Sequence, residues 1–218
     1  MKKFTLIVFL TCCSLALLLL LPVVAASPSE DSSPNHIRVA DPIEWPKLSE
    51  ESLFDILVEN FLFQSFVEVR RISTVGDRLL VFARNGGVLH FDPVSAEDLR
   101  LPGHPQGFPE QSSISISRFG QLPFVKTPKD SIPESALEET IWQEAMALRA
   151  DIFGESNPVL CMERGDVIIY FYESPAPPFG HYASVHDQGR DTLFLHIAAQ
   201  GMKFDDFQTF LATAVLRK

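Results

Sequence analysis

A chain of 218 residues, 46% hydrophobic and 21% charged, holds enough apolar material for one substantial domain or two small ones, which excludes a chain disordered throughout. Its 28 acidic side chains against 18 basic ones give a net charge of −10, which argues against nucleic acid and anionic membranes as partners, because phosphate contacts need clustered Lys and Arg. Phe dominates the aromatics, with 18 residues against 3 Tyr and 2 Trp, and points to a filled apolar core ahead of a sugar- or base-stacking surface.

At the N-terminus Lys2 and Lys3 precede an apolar run from Phe4 to Leu21, and Pro22-Val23-Val24-Ala25-Ala26 adds a helix break and small residues. This is the pattern of a secretory signal over residues 1–26, cleaved after Ala26, leaving a periplasmic or secreted protein. The run is almost long enough to span a bilayer, so an uncleaved anchor is the alternative, and it is the one route to membrane attachment. Lipidation at Cys12 or Cys13 is disfavoured because residues 14–26 would then stay on the mature chain. After cleavage, 18 basic residues less Lys2 and Lys3 leave 16 against 28 acidic ones, a net charge of −12 that would steer in a basic protein partner. Of three cysteines Cys161 alone would remain, so no intramolecular disulfide can form.

Residues 27–47, with Pro28, Pro34, Pro42 and Pro46 among Ser, Asp and Glu, read as a tether or a segment wrapped over the surface. The remainder, 48–218, reads as a single α+β domain. Ser49 as N-cap and the apolar set Leu53, Phe54, Leu57, Val58, Phe61 and Leu62 predict a first helix to about Gln64. Three strands follow at 67–74, 78–84 and 87–91, turned by Gly76-Asp77 and Asn85-Gly86 into an antiparallel meander. Residues 92–111 form a long connection rich in Pro and Gly, and the Ser/Ile alternation over 112–118 predicts a half-buried strand, with 122–125 as its candidate partner. A second helix is expected over about 134–153, with Ser135 and Glu138 as a capping box, Leu137, Ile141, Ala145, Leu148 and Ile152 on one face, and Gly154 as its stop.

From Pro158 the signals are strongest. Residues 159–163 and 167–172 form a hairpin about Arg164-Gly165-Asp166, and 181–186 and 191–198 form a second. A loop of two or four residues in that second hairpin sets His181 opposite His196, Ala183 opposite Phe194 and Val185 opposite Thr192, with Leu193, Leu195 and Ile197 on the core face. From Phe204 the period becomes helical, with Asp205 and Asp206 in the first turn and the apolar set continuing to Val215. The expected architecture is therefore an antiparallel sheet of two meanders packed by three helices, with halves 48–125 and 132–218 sharing a helix-then-meander order.

Function is less sharply marked. The chain has no nucleophile elbow, P-loop, dinucleotide fingerprint, zinc motif or catalytic constellation, so no catalytic residue, metal ligand or cofactor is assigned. Cys161, between Leu160 and Met162, reads as a small core residue. Two proline-stiffened loops carry Phe near His and could each present an aromatic anchor: 101–109 with His104 and Phe108, and 174–182 with Pro177, Phe179, His181 and Tyr182. The expectation is an exported, non-catalytic protein that binds another protein, such as a basic toxin or hydrolase, as an inhibitor or immunity protein does. The alternatives are an envelope enzyme or metal-binding protein using His181 with His196, and a structural envelope component held by an uncleaved N-terminus.

Overall fold

The structure, a computed structural model, describes residues 40–46, 53–65, 68–104, 107–125, 135–155, 158–174 and 180–217. The predicted signal, residues 27–39 and 47 of the tether, the linker 126–134, and Pro177 and Phe179 lie outside the described residues. The fold is α+β. Among the described residues no helix is long and apolar enough to cross a membrane.

The two predicted meanders join edge to edge in one sheet. The first comprises β4 (Val69–Val75), β5 (Arg78–Ala83) and β6 (Val88–Ser95). The second comprises β7 (Leu160–Arg164), β8 (Val167–Glu173), β9 (His181–Asp187) and β10 (Leu193–Gln200). Strand β10 pairs antiparallel with β6 from Leu193 opposite Ser95 to Gln200 opposite Val88. With the short β1 (Asp41–Pro42) parallel to β7, the order is β1-β7-β8-β9-β10-β6-β5-β4. Residues 40–46 of the predicted tether thus form a strap: Trp45 Nε1 donates to the Ala212 carbonyl at 2.7 Å, and the Arg164 guanidinium lies 4.4 Å from the Trp45 ring centre.

Both faces of this sheet carry packed layers, the second over part of its extent. One carries Phe91, Ile169, Phe171, Val185, Leu195 and Ile197 and packs on a small sheet, ordered β11-β3-β2, of β2 (Phe54–Val58), β3 (Phe61–Ser65) and β11 (Val215–Leu216). Helix α3 (Phe204–Leu211) closes the same layer with Phe207, Phe210 and Leu211. Phe61, Phe63, Phe91, Phe171 and Phe207 are fully buried here, and Phe63 stacks on Phe210 at 5.3 Å. The Phe-rich composition does serve a core. The opposite face packs under α1 (Ile116–Gln121) and α2 (Ala136–Glu155). Helix α2 buries Ile141 and Ala145 as its period predicts, and Ser135 Oγ accepts from the Glu138 N–H at 3.2 Å.

Four local expectations are corrected. The predicted helix 49–64 is, over its described residues, the β2–β3 hairpin: Phe54, Ile56 and Val58 oppose Ser65, Phe63 and Phe61, and Glu59 takes a positive φ of 53° in the turn. An almost unbroken apolar run fits both periods, and the Glu59-Asn60 turn decides between them. The shared helix-then-meander order accordingly holds for the second half only. The Ser/Ile segment is not a strand, because its serines are spent on local bonds: Ser112 Oγ accepts from the Ile114 N–H, and Ser115 Oγ caps α1 by accepting from the Arg118 N–H at 3.1 Å. The last helix stops at Leu211, and Val215–Leu216 returns as a strand beside β3.

The fourth correction bears on the site. The β9–β10 loop has five residues, 188–192, since Val185 opposes Leu195 and His181 opposes Ala199. Buried Asp187 sets it, accepting from the Gly189 N–H at 2.8 Å and from Asn60 Nδ2 at 2.7 Å. An odd loop exchanges the faces, so His181 and His196 do not meet.

Candidate functional site

On the face under α1, cross-strand neighbours form a polar row running across the sheet. Cys161 opposes Tyr170, Tyr170 opposes Ser184, Ser184 opposes His196, and His196 opposes Asp92. Arg78 completes the row, its Nε donating to Asp92 Oδ1 at 3.0 Å.

One end of the row is sealed. Ser184 and the adjacent His186 are buried, with Ser184 Oγ and His186 Nε2 2.8 Å apart. His186 stacks on Phe194 at 5.2 Å and makes a T-shaped contact with Tyr170 at 5.8 Å, while Tyr170 stacks on Phe124 at 4.7 Å. Helix α1 forms the lid. It is held by Asp191, whose carbonyl accepts from the Ser117 N–H and whose carboxylate accepts from Ser115 Oγ. The lid comes so close because residue 120 is Gly: a Cβ there would lie 2.8 Å from the Phe194 ring and 2.9 Å from His186 Cε1. Burial, with His196 as a minor contributor, lowers the His186 pKa to about 3, so the imidazole is neutral. Burial and then the Glu163 carboxylate push the Cys161 thiol up to about 11, and burial raises the Tyr170 phenol as well. Ser184 and His186 have the spacing of a nucleophile and its base, yet both are almost wholly buried beneath the lid, and Cys161 is a protonated thiol at neutral pH. The sealed end is support.

The other end is open. His196 is exposed, His90 and Asp92 sit two residues apart on the same face of β6, and half-buried Leu80, Phe82 and Tyr182 flank them. Tyr182 stacks on Tyr172 at 5.6 Å, and the Arg71 guanidinium lies 4.4 Å from the Phe82 ring centre. Desolvation lowers the His90 pKa, opposed by Asp92 and assisted by Arg78. Desolvation also lowers that of His196, opposed by Asp92, although the side chain is exposed. Arg71 and Arg78 against Asp92 make this end locally basic on an acidic chain.

The residues expected at the site are dispersed. Phe108 turns into the core at 8% exposure, 5.7 Å from Phe119, because its N–H donates to the Ala96 carbonyl at 2.7 Å, so it is no aromatic anchor. His104 is half-buried in a bridge to Leu101. His181 is buried on the other face, its Nε2–H donating to the Met202 carbonyl at 2.6 Å and its ring stacked on Phe207, where it packs and cannot reach a partner. Among the described residues of that set, Tyr182 and His196 alone reach the open end. Among the described residues no group of three or more His, Cys, Asp or Glu side chains is placed to hold a metal ion. Arg78, His90 and Asp92 were missed; reading β6 on past Phe91 would have put His90 and Asp92 on one face. The chain matches no protein-family model, no curated protein and no solved structure.

Proposed function

We propose that the chain is an exported, non-catalytic protein that binds another protein in the bacterial envelope, as an inhibitor or immunity protein does, through the open end of the polar row. One observation carries this reading: His90, Asp92, His196 and Tyr182 stand with solvent access on inner strands of a sheet whose adjacent groups are locked beneath α1. Side chains fixed on rigid strands lose little entropy on association, which suits recognition. Export is supported by the basic, apolar and small-residue succession of residues 1–26.

The test is capture by the immobilised purified chain from an extract of its source cells. One protein is expected in stoichiometric amount, and the double variant His90→Glu/His196→Glu should retain about a tenth of it or less. Leu57→Ser, on the small sheet, should capture as the parent does. Turnover of ester, peptide or phosphodiester substrates by the purified chain, abolished in His196→Ala, would establish the enzyme reading instead.

A further inference from the structure

We propose that β4 is a docking edge for an extended, acidic segment of the partner, which adds to the main sheet beyond β4 as a further strand; this rests on the binding reading above. The two ends of the sheet differ. At one end β1 covers β7, whereas at the other, among the described residues, β4 pairs with β5 alone, and none of its seven residues is buried. The backbone on that side is available in a regular way. Val75 opposes Arg78 across the two-residue turn Gly76-Asp77, where Gly76 has a φ of 64°, so these two residues form a hydrogen-bonded pair. Val75 and Ser73 therefore direct their backbone groups to β5, and Thr74 and Ile72 direct theirs outward. Ile72 and Val75 remain 43% and 60% exposed, apolar surface that an added strand would cover.

Charge selects the occupant. Residues 68–84 carry Arg70, Arg71, Arg78 and Arg84 against Glu68 and Asp77, in a chain of 28 acidic and 18 basic residues. Arg84 pairs with Glu68 at 3.1 Å and Arg78 with Asp92 at 3.0 Å. Among the described residues that leaves Arg70 and Arg71 on the edge with no carboxylate. A second copy pairing β4 to β4 would juxtapose two such arginine pairs on two chains that each carry a net −10. An acidic strand meets complementary charge at the same place, so the arginines admit it while rejecting self-association.

The probes are two labelled heptapeptides, Val-Glu-Val-Glu-Val-Glu-Val and its Lys counterpart, titrated with the full chain by fluorescence anisotropy at low salt. The Glu peptide should bind saturably, the Lys peptide about tenfold more weakly or not at all, and Arg70→Glu/Arg71→Glu should reverse the preference. N-methylation of alternate peptide amides should abolish binding, as should Ile72→Pro, which removes an outward N–H while leaving the bonds to β5; circular dichroism checks that this variant folds. Equal binding of the two peptides, binding of neither, or binding indifferent to N-methylation would overturn the edge pairing. Should the edge pairing fail while the chain still captures its partner through His90 and His196, the binding reading stands; loss of that capture as well would overturn both.

Discussion

His186 and His196 lie on adjacent strands of one sheet face, on either side of Phe194, yet they are chemically unlike. His186 is under the lid, in contact with Ser184, Phe194 and Tyr170, and burial holds its pKa at about 3. His196 makes a T-shaped contact with Phe194 at 5.0 Å and is exposed. What separates a packing histidine from an available one here is the reach of α1, which Gly120 permits and Asp191 anchors. The same boundary divides a row of reactive residue types into a rigid support and a presented surface.

The strongest way to break this contrast is to remove its hinge. Phe194→Ala is expected to cost about 3–5 kcal/mol in denaturant unfolding, because a fully packed ring is lost between sheet and lid. The same variant should open His186 to water and bring its pKa back toward the ordinary histidine range, which nuclear magnetic resonance titration of the imidazole protons would record. A pKa that stays at about 3 would show that the lid seals the site without Phe194.

Acid acts next most strongly, and most of all on the sealed end. The unfolded chain protonates His186 near pH 6.5, whereas the folded chain does so only near 3, so the unfolded state binds the extra proton between these values. The stability contributed by neutral His186 is complete above pH 6.5 and is lost as pH falls toward 3. On the order of 2–3 kcal/mol should be lost from this source between pH 6.5 and 4.5. His186→Gln should flatten the fall over that window, before most carboxylates titrate. His196→Gln should flatten it less, because that side chain is exposed and Asp92 opposes the lowering.

Gly120→Ala follows in size. Alanine favours a helix over glycine by about 1 kcal/mol, but its Cβ would overlap Phe194 and His186, and such overpacking costs about 1–3 kcal/mol. Thermal unfolding is expected to show net destabilisation. A gain in stability would mean that α1 rests farther from the sheet.

The sequence disclosed most of the framework of this site and little of its chemistry. Both meanders, the α2 face and the turns at Gly76-Asp77 and Gly165-Asp166 were legible, because alternation and turn residues act locally. Asn85-Gly86 marked its hairpin correctly, although the loop has three residues, 84–86, as Ala83 and Gly87 share a backbone bond. The β9–β10 register was not legible, since it depends on Asp187 accepting from Asn60, 127 positions away. That long-range contact makes the loop odd and exchanges the partners of every histidine in the hairpin. Nor did the net charge disclose the basic corner: a sum over the chain averages away Arg71 and Arg78, which the sheet brings onto the face that carries His90 and His196.

The smallest effects are expected at the open end, and their smallness is the point. His196→Ala should change unfolding free energy by no more than about 0.5 kcal/mol, because an exposed ring leaves neither a cavity nor an orphaned polar group. Breaking the ion pair by Arg78→Met should cost under about 1 kcal/mol, since the two side chains keep 26% and 31% of their surface in water and solvent screens them. Both variants should nevertheless lower partner capture, with dissociation accelerated more than association is slowed. If His196→Ala instead unfolded the protein as readily as Phe194→Ala, His196 would belong to the support, and the boundary drawn by α1 would lie on the far side of Asp92.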